Sequence, residues 1–259
     1  MQRSILRDLL ILLGVFGLIW LIFSLFSYPV HPRLLSVEKE KKLGDTYVDL
    51  ILKNPAFREF ENGKVDSAVQ EIARRLEKGL EHSDFSYRFV IFDNGMINAF
   101  SLPGGNILLS TGLIGFCESP EELASVMAHE MGHVEKRHVL SRLIKELGIE
   151  ILTSADPYVI GEVTGMLTSA GFDRKQEEEA DRFAAGLLER ASIEPRTLAT
   201  LFRRLDQESD NKLLEQFEMF STHPSFRSRI REALSYKPGE DFEPVPFGMD
   251  WEGIRSELK

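Results

Sequence analysis

Cysteine is almost absent from this chain of 259 residues, in which Cys117 is the only one. A single cysteine cannot form a disulfide within the chain, so cysteine usage does not indicate a redox compartment. Basic residues are also in the minority, with 31 lysines and arginines against 41 aspartates and glutamates and a net charge of −10. This negative charge argues against a nucleic-acid partner.

Charged residues are missing from the twenty positions between Leu9 and Tyr28. As a helix these residues would span about 30 Å, the thickness of a bilayer's hydrocarbon core. The alternative is a cleaved signal peptide, but the segment is long for one and no Ala-x-Ala site closes it. Arg3 and Arg7 precede the segment and favour a cytoplasmic N-terminus. The sequence therefore predicts one transmembrane helix, with residues 31–259 outside the inner membrane.

The rest of the chain predicts an α+β fold that is mainly helical. Apolar residues at helical spacing mark helices at 36–53 and 64–80. Three alternating segments, 87–92, 98–102 and 106–110, predict a small antiparallel sheet, the last two forming a hairpin around a Pro-Gly-Gly turn. An exposed edge of this sheet could pair with an extended peptide through backbone hydrogen bonds. The alternative is an ordinary hairpin.

A single long helix is predicted from Pro120 to Leu147. Ser119 and Glu122 have the spacing of a capping box, proline stands at the first helical position, and Gly148 follows the end. The residues around its centre are apolar or small, a pattern typical of a helix buried against other elements.

Within this helix, residues 129–133 have the sequence His-Glu-Met-Gly-His. His129 and His133 lie on one helix face, where two neutral imidazoles can bind one Zn²⁺. Glu130 is rotated about 100° from His129, so it can flank the metal and take a proton from the water that the metal activates. The alternative is a pair of surface histidines beside an ordinary glutamate.

An acidic helix at residues 173–190 can complete such a site. Zinc held by two helical histidines needs one more protein ligand and an open position. Glu177 and Asp181 share a face at i, i+4. Glu177 can be the third ligand, and Asp181 can hydrogen-bond the far ring nitrogen of a ligating histidine. We interpret Glu178 and Glu179 as solvated.

A third histidine ligand is the competing geometry. The spacing HExxHxxGxxH requires glycine at 136 and histidine at 139, where this chain has Lys136 and Val139. His138 is one position away and, on a continuous helix, faces away from His133. We therefore expect His138 to be a surface or second-layer residue.

Several segments together resemble one family of gluzincin metalloproteases. They are His129-Glu130-x-x-His133, Arg174-x-x-Glu177-x-x-Ala180-Asp181, Thr222-His223-Pro224 with Arg229-Ile230, and Asn98-Ala99-Phe100 with Pro103-Gly104-Gly105. The family, peptidase family M48, contains the HtpX membrane proteases, the CAAX prenyl proteases, mitochondrial Oma-type proteases and periplasmic BepA-type proteases. The resemblance covers roughly residues 35–235.

The resemblance implies a zincin-type metalloprotease domain at residues 31–235, between an anchor at 1–30 and a C-terminal tail at 236–259. HtpX and CAAX proteases have several membrane spans, so this chain looks most like the extracytoplasmic quality-control members. Its expected function is that of a membrane-anchored zinc endopeptidase acting on unfolded or extended polypeptides of the envelope. The alternative is a non-proteolytic tethered chaperone or assembly factor with a structural zinc site.

The resemblance also implies site roles, including one Zn²⁺ per chain. The implied ligands are His129, His133 and Glu177, and Asp181 is implied to lie behind them. The implied substrate-binding residues are Asn98, Ala99, Phe100, Gly104 and Gly105. His223 is implied to approach the site, where it could donate to the oxyanion, occupy the fourth position of the zinc and block it, or be a structural turn residue.

Overall fold

Two compact units, Met1–Pro32 and Arg33–Lys259, make up the computed structural model of the chain. The residues that the structure describes are 12–19, 35–148, 161–163, 165, 171–209, 223 and 226–258. Residues 12–19 are helical and expose apolar side chains such as Phe16. Most of the predicted anchor lies outside the described residues. No helix among the described residues is long and apolar enough to cross a membrane.

The second unit is mainly helical around a small sheet. Its described elements are α1 (Val37–Ile51), α2 (Gly63–Lys78), β1 (Arg88–Phe92), β2 (Ala99–Leu102), β3 (Asn106–Ser110), α3 (Thr111–Phe116), α4 (Pro120–Glu135), α5 (His138–Leu147), α6 (Arg174–Arg190), α7 (Thr197–Ser209), α8 (Phe226–Ser235) and α9 (Trp251–Ser256). The helices predicted at 36–53, 64–80 and 173–190 are therefore confirmed within a few residues.

The three strands have the order β1-β3-β2. β2 and β3 are antiparallel, with Ala99 opposite Leu109, which confirms the predicted hairpin. β1 pairs with β3 in parallel, so the prediction of an antiparallel sheet is wrong and the sheet is mixed. The physical reason is the position of β3, whose five residues are all buried. It occupies the centre, and the connection at residues 93–98 carries the chain about 10 Å, two strand spacings, to the far edge.

The Pro-Gly-Gly turn of the hairpin is held against α1. A Cβ added at Gly44 of α1 would lie 1.8 Å from the carbonyl oxygen of Pro103. Gly104 has a φ of 76°, and a Cβ there would lie 2.4 Å from the Cα of Lys41. Both positions therefore need glycine, and their close approach fixes the hairpin relative to α1.

The helix predicted over residues 120–147 is divided into α4 and α5. Its start is as predicted, because the Ser119 hydroxyl accepts a hydrogen bond from the Glu122 N–H at 3.3 Å. The Glu122 carboxylate, however, accepts from the N–H of Glu118 instead of Ser119. Gly148 follows the end of α5 with a positive φ of 76°, which glycine adopts without strain.

The prediction of one continuous helix is wrong because of Arg137, whose φ of 53° and ψ of 34° are left-handed. Its guanidinium Nε donates to the carboxylate of Glu40 at 2.7 Å and Nη2 donates to the carbonyl of Leu35 at 2.7 Å. Glu40 is 1% exposed. A residue other than glycine adopts this left-handed backbone conformation at a cost of about 1–3 kcal/mol. The buried ion pair with Glu40 stabilises it.

The C-terminal segment packs into the same hydrophobic core as the sheet, α2 and α4. Phe247, Trp251 and Ile254 belong to that core. The Trp251 indole N–H donates to the carbonyl of Cys117 at 2.8 Å. The tail is therefore anchored by Trp251 onto the end of α3.

Candidate metal centre

Small residues bring α4 and α6 close together. Gly132 of α4 lies opposite Ala180 of α6, where an added Cβ would lie 2.9 Å from the Ala180 carbonyl oxygen. Ala180 and Ala184 are fully buried at this contact. α6 begins with a complete capping box between Asp173 and Gln176. Glu177, about one turn before Ala180, is thereby carried to the imidazoles of α4.

Four buried side chains converge between α4, α6 and residue 223. They are His129, His133, Glu177 and His223, and one ligand atom of each lies within 4.8 Å of all the others. The Nε2 atoms of His129 and His133 are 3.1 Å apart. Nδ1 of His223 lies 3.0 Å from Oε1 of Glu177 and 3.3 Å from Nε2 of His129. The structure thus brings the three predicted ligands together and adds His223 as a fourth donor.

This set of donors fits a tetrahedral metal site. Bonds of about 2.0–2.2 Å at tetrahedral angles place the donor atoms about 3.4 Å apart. Neighbouring donors are separated by 3.0 Å (His223 and Glu177) to 3.6 Å (His133 and Glu177), and every donor lies within 4.8 Å of the others. Burial and the neighbouring positive groups hold the pKa of His133 well below its ordinary value. The His133 imidazole is therefore neutral, with a lone pair available for a metal.

Behind His129, the side of the ring away from the cluster is fixed by Asp181. Nδ1 of His129 lies 2.9 Å from Oδ1 of Asp181. Burial raises the pKa of the Asp181 carboxyl, but the ion pair with Arg229 and the contact with His129 outweigh it and bring the pKa below its ordinary value. An ionised Asp181 keeps the His129 proton on Nδ1 and leaves Nε2 available to a metal. This is the geometry that the sequence predicts for Asp181.

Arg229 is a site residue whose role the sequence did not predict. It is 2% exposed, and its Nε and Nη2 each donate to the Asp181 carboxylate at 2.7 Å. Its Nη1 lies 2.6 Å from Oε2 of Glu177. The sequence showed Arg229 only as part of a family motif in an amphipathic stretch. Its positive charge offsets the two carboxylates that burial would otherwise destabilise.

Glu130 lies beside the four donors and is 1% exposed. Its Oε1 is 3.4 Å from Nε2 of His223. Its Oε2 is buried and has no hydrogen-bond partner among the described residues. Glu130, His223 and Phe202 help to line a cavity of about 10 Å³, roughly the volume that one water molecule needs. A carboxylate oxygen without a donor in a buried cavity is suited to accept a proton there.

His138 lies behind His133. It is 4% exposed, and its Nδ1 is 3.0 Å from Nδ1 of His133. The expectation that His138 faces away from His133 is wrong, because it assumed a continuous helix and the break at Arg137 turns the chain back. Glu179 is not simply solvated either, since its Oε2 lies 3.2 Å from Nε2 of His138.

The predicted substrate residues lie in and beside β2, an edge of the described sheet. Asn98, Ala99 and Phe100 are all at most 4% exposed. Gly104 and Gly105 are also buried, and their close neighbours are the backbone of α1 and that of residue 86. The glycines therefore position the hairpin. All four residues of β2 are also buried, so the exposed edge that the sequence predicts for pairing with a peptide is not present at β2.

Comparison with known proteins places the site in a family. The model of peptidase family M48 matches residues 59–237, which include the sheet, α4, α6 and Arg229. This chain belongs to peptidase family M48. The family predicted from the sequence is therefore confirmed.

This M48 chain is similar to proteases from bacteria and from mitochondria. It is 28% identical over 223 residues to the beta-barrel assembly-enhancing protease of Escherichia coli (strain K12), covering 77% of this chain and 44% of the relative. It is 32% identical over 173 residues to the mitochondrial metalloendopeptidase OMA1 of Arabidopsis thaliana, covering 65% of this chain and 34% of the relative. It is 28% identical over 188 residues to the metalloprotease LoiP of Escherichia coli (strain K12), covering 67% of this chain and 72% of the relative. The chain thus spans less than half the length of the beta-barrel assembly-enhancing protease.

Replacing Gly132 by alanine is expected to weaken metal binding in this M48 chain. A Cβ there meets the Ala180 backbone at 2.9 Å, so α6 must shift and carry Glu177 away from the histidines. We expect a loss of about 1–3 kcal/mol of stability and a fall of about 10-fold in metal affinity. Gly186→Ala on α6 is the matched control, because its Cβ meets only the end of the Arg190 side chain, at 3.3 Å. Chelator competition on both variants measures the effect, and equal affinities would contradict it.

Proposed function

We propose that this chain is a zinc-dependent endopeptidase that cleaves unfolded or extended polypeptides. The observation that carries the proposal is the buried cluster of His129, His133 and Glu177, with the unpaired Oε2 of Glu130 beside it. Two imidazoles and a carboxylate are a common ligand set of catalytic zinc. Membership of a peptidase family supports the same reaction.

In the proposed reaction, His129, His133 and Glu177 would hold a zinc ion, which would polarise the scissile carbonyl and acidify the attacking water. Glu130 accepts the proton of that water and passes it to the leaving amine. Asp181, paired with Arg229, keeps the His129 ring in its ligating orientation. Burial of these groups strengthens their electrostatic interactions.

We propose that His223 occupies the fourth position and holds the enzyme inactive until it is displaced. Its Nδ1 lies 3.0 Å from the Glu177 carboxylate and 3.3 Å from the His129 ring, among the donors of the cluster. A neutral imidazole is a common zinc ligand. Of the three roles considered from the sequence, oxyanion donor, blocking ligand and structural residue, this position supports the blocking ligand best.

We also propose that the enzyme acts in protein quality control at the cell envelope, anchored in the inner membrane by residues 1–30. The uncharged segment from Leu9 to Tyr28 supports the anchor, and Arg3 and Arg7 support an extracytoplasmic catalytic domain. The name of the beta-barrel assembly-enhancing protease points to the same compartment. In this proposal, residues 31–235 carry the catalytic site, and residues 236–259 are a C-terminal tail that packs into the same core.

Zinc content together with cleavage of casein tests the proposed function. Wild-type protein and Glu178→Ala should each bind one zinc ion per chain, whereas Glu177→Ala should lose most of it because a ligand is missing. A strong chelator should abolish casein cleavage, and added zinc should restore it. Equal zinc loss in Glu177→Ala and Glu178→Ala would contradict the ligand assignment. Cleavage that persists in fully metal-free protein would contradict the reaction.

A further inference from the structure

A chain of contacts leads from the cluster to the surface through His133. Nε2 of His133 faces the cluster, 3.1 Å from Nε2 of His129. Nδ1 of His133 faces away and lies 3.0 Å from Nδ1 of His138. Nε2 of His138 in turn lies 3.2 Å from Oε2 of Glu179, whose side chain is 35% exposed.

When both imidazoles are neutral, one arrangement of protons satisfies the contacts that His138 makes with His133 and Glu179. An ionised carboxylate can only accept, so Nε2 of His138 must donate to Glu179. A neutral His138 then has a lone pair on Nδ1, which accepts from Nδ1–H of His133. With its proton on Nδ1, His133 has a lone pair on Nε2, the atom that faces the cluster. The carboxylate at the surface therefore determines which nitrogen of His133 is available to a metal.

We propose that His138 and Glu179 are positioning residues that hold His133 in its metal-ligating tautomer. The inference rests on the metal site of the proposed function. It gives the two histidines of α4 different supports: His129 contacts the Asp181 carboxylate directly, whereas His133 reaches a carboxylate through a second imidazole. Outer partners of this kind orient a ligand and raise its basicity.

The break between α4 and α5 makes this arrangement possible. On a continuous helix, residues 133 and 138 would be about 140° apart around the axis, too far for their rings to meet. The left-handed backbone of Arg137, held by its ion pair with Glu40, turns α5 so that His138 returns to His133. The strained conformation of Arg137 thus has a purpose at the metal site.

A purely packing role for His138 predicts something different. The rings of His133 and Phe172 stack with centroids 3.9 Å apart, and the His138 ring lies 6.2 Å from Phe172 in the same buried group. If His138 only fills this space, any flat ring of similar size should replace it. If it accepts a proton from His133, the replacement must carry an acceptor near the position of Nδ1.

Two substitutions of His138 separate these roles. His138→Phe keeps a ring but removes the acceptor and leaves Nδ1–H of His133 buried without a partner, so zinc affinity should fall about 10–100-fold. His138→Asn places an amide oxygen near the former Nδ1 and should retain most of the affinity. Glu179→Ala should lower the affinity less than His138→Phe, because water can reach that position. Glu178→Ala, beside it on α6 and paired with Arg174, is the control and should have no effect.

Zinc affinity is measured by chelator competition on the full chain. Nitrogen-15 spectra of the zinc-loaded wild type, with labelled histidine, report the tautomers directly and should show His138 protonated on Nε2 only. Wild-type affinity in His138→Phe, or a His138 proton on Nδ1, would overturn the inference while leaving the zinc site intact. A wild type that binds no zinc would overturn the proposed function and this inference with it.

Discussion

Glu130→Gln is expected to abolish cleavage of casein while leaving the metal bound. The glutamate is not one of the four converging donors, so its replacement removes no ligand. Glutamine has the same shape, but its amide cannot accept the proton of the attacking water. The loss of a positioned general base lowers the rate by about 10²–10⁴-fold. Zinc content, melting temperature and the initial rate of casein cleavage measure the three parts of this expectation.

The matched control for Glu130→Gln is Glu121→Gln on the same helix. Glu121 stands in the first turn of α4, where its carboxylate accepts a hydrogen bond from the Phe247 N–H at 3.0 Å, away from the cluster. The Glu121→Gln variant should cleave casein at close to the wild-type rate. Undiminished cleavage by Glu130→Gln would remove Glu130 from the reaction. A wild type that binds zinc yet cleaves no unfolded protein would favour the tethered chaperone or assembly factor.

His223→Ala is expected to raise the rate of casein cleavage. Nδ1 of His223 lies among the donors, so its removal leaves the fourth position of the metal available to water and substrate. If the blocked form dominates in the wild type, the rate should rise by about 10-fold or more, since activity scales with the fraction of competent enzyme. Initial rates at saturating casein, together with zinc content, measure the effect. The zinc should remain bound, because three ligands are still present.

The other two roles of His223 predict different results. An oxyanion donor would give a fall in kcat of about 10²-fold or more on replacement. A structural residue would give an unchanged rate with a lower melting temperature. His82→Ala is the control, because the His82 side chain is 85% exposed and should change neither quantity.

Local features of the site could be predicted from the sequence. The i, i+4 spacing of His129 and His133, and of Glu177 and Asp181, depends only on helix geometry. The capping residues Ser119 and Asp173 mark the starts of both helices within a few positions. These spacings and helix starts depend on neighbours along one helix, and for them the structure agrees with the sequence.

Features that depend on distant partners could not be predicted in the same way. Arg137 breaks a helix because it binds Glu40, 97 residues earlier, and helical periodicity contains no trace of that pair. β1 pairs in parallel with β3 because β3, the last described strand in the chain, lies between β1 and β2. The buried position of Arg229 depends on Asp181, 48 residues away, which neutralises it. Each of these contacts joins elements whose order in the chain does not reveal their order in space.

The C-terminal helix has a consequence for where this enzyme can be shortened. The family match ends at residue 237, but Phe247, Trp251 and Ile254 lie in the same core as α2 and α4. Arg75 of α2 also donates to the carbonyl of Ala191 at 2.9 Å and stacks over the Phe247 ring at 4.4 Å. A recombinant protein trimmed to the matched region would leave this apolar surface in water and invite aggregation. The minimal folding unit of this family member therefore extends at least to α9, beyond the limit set by homology.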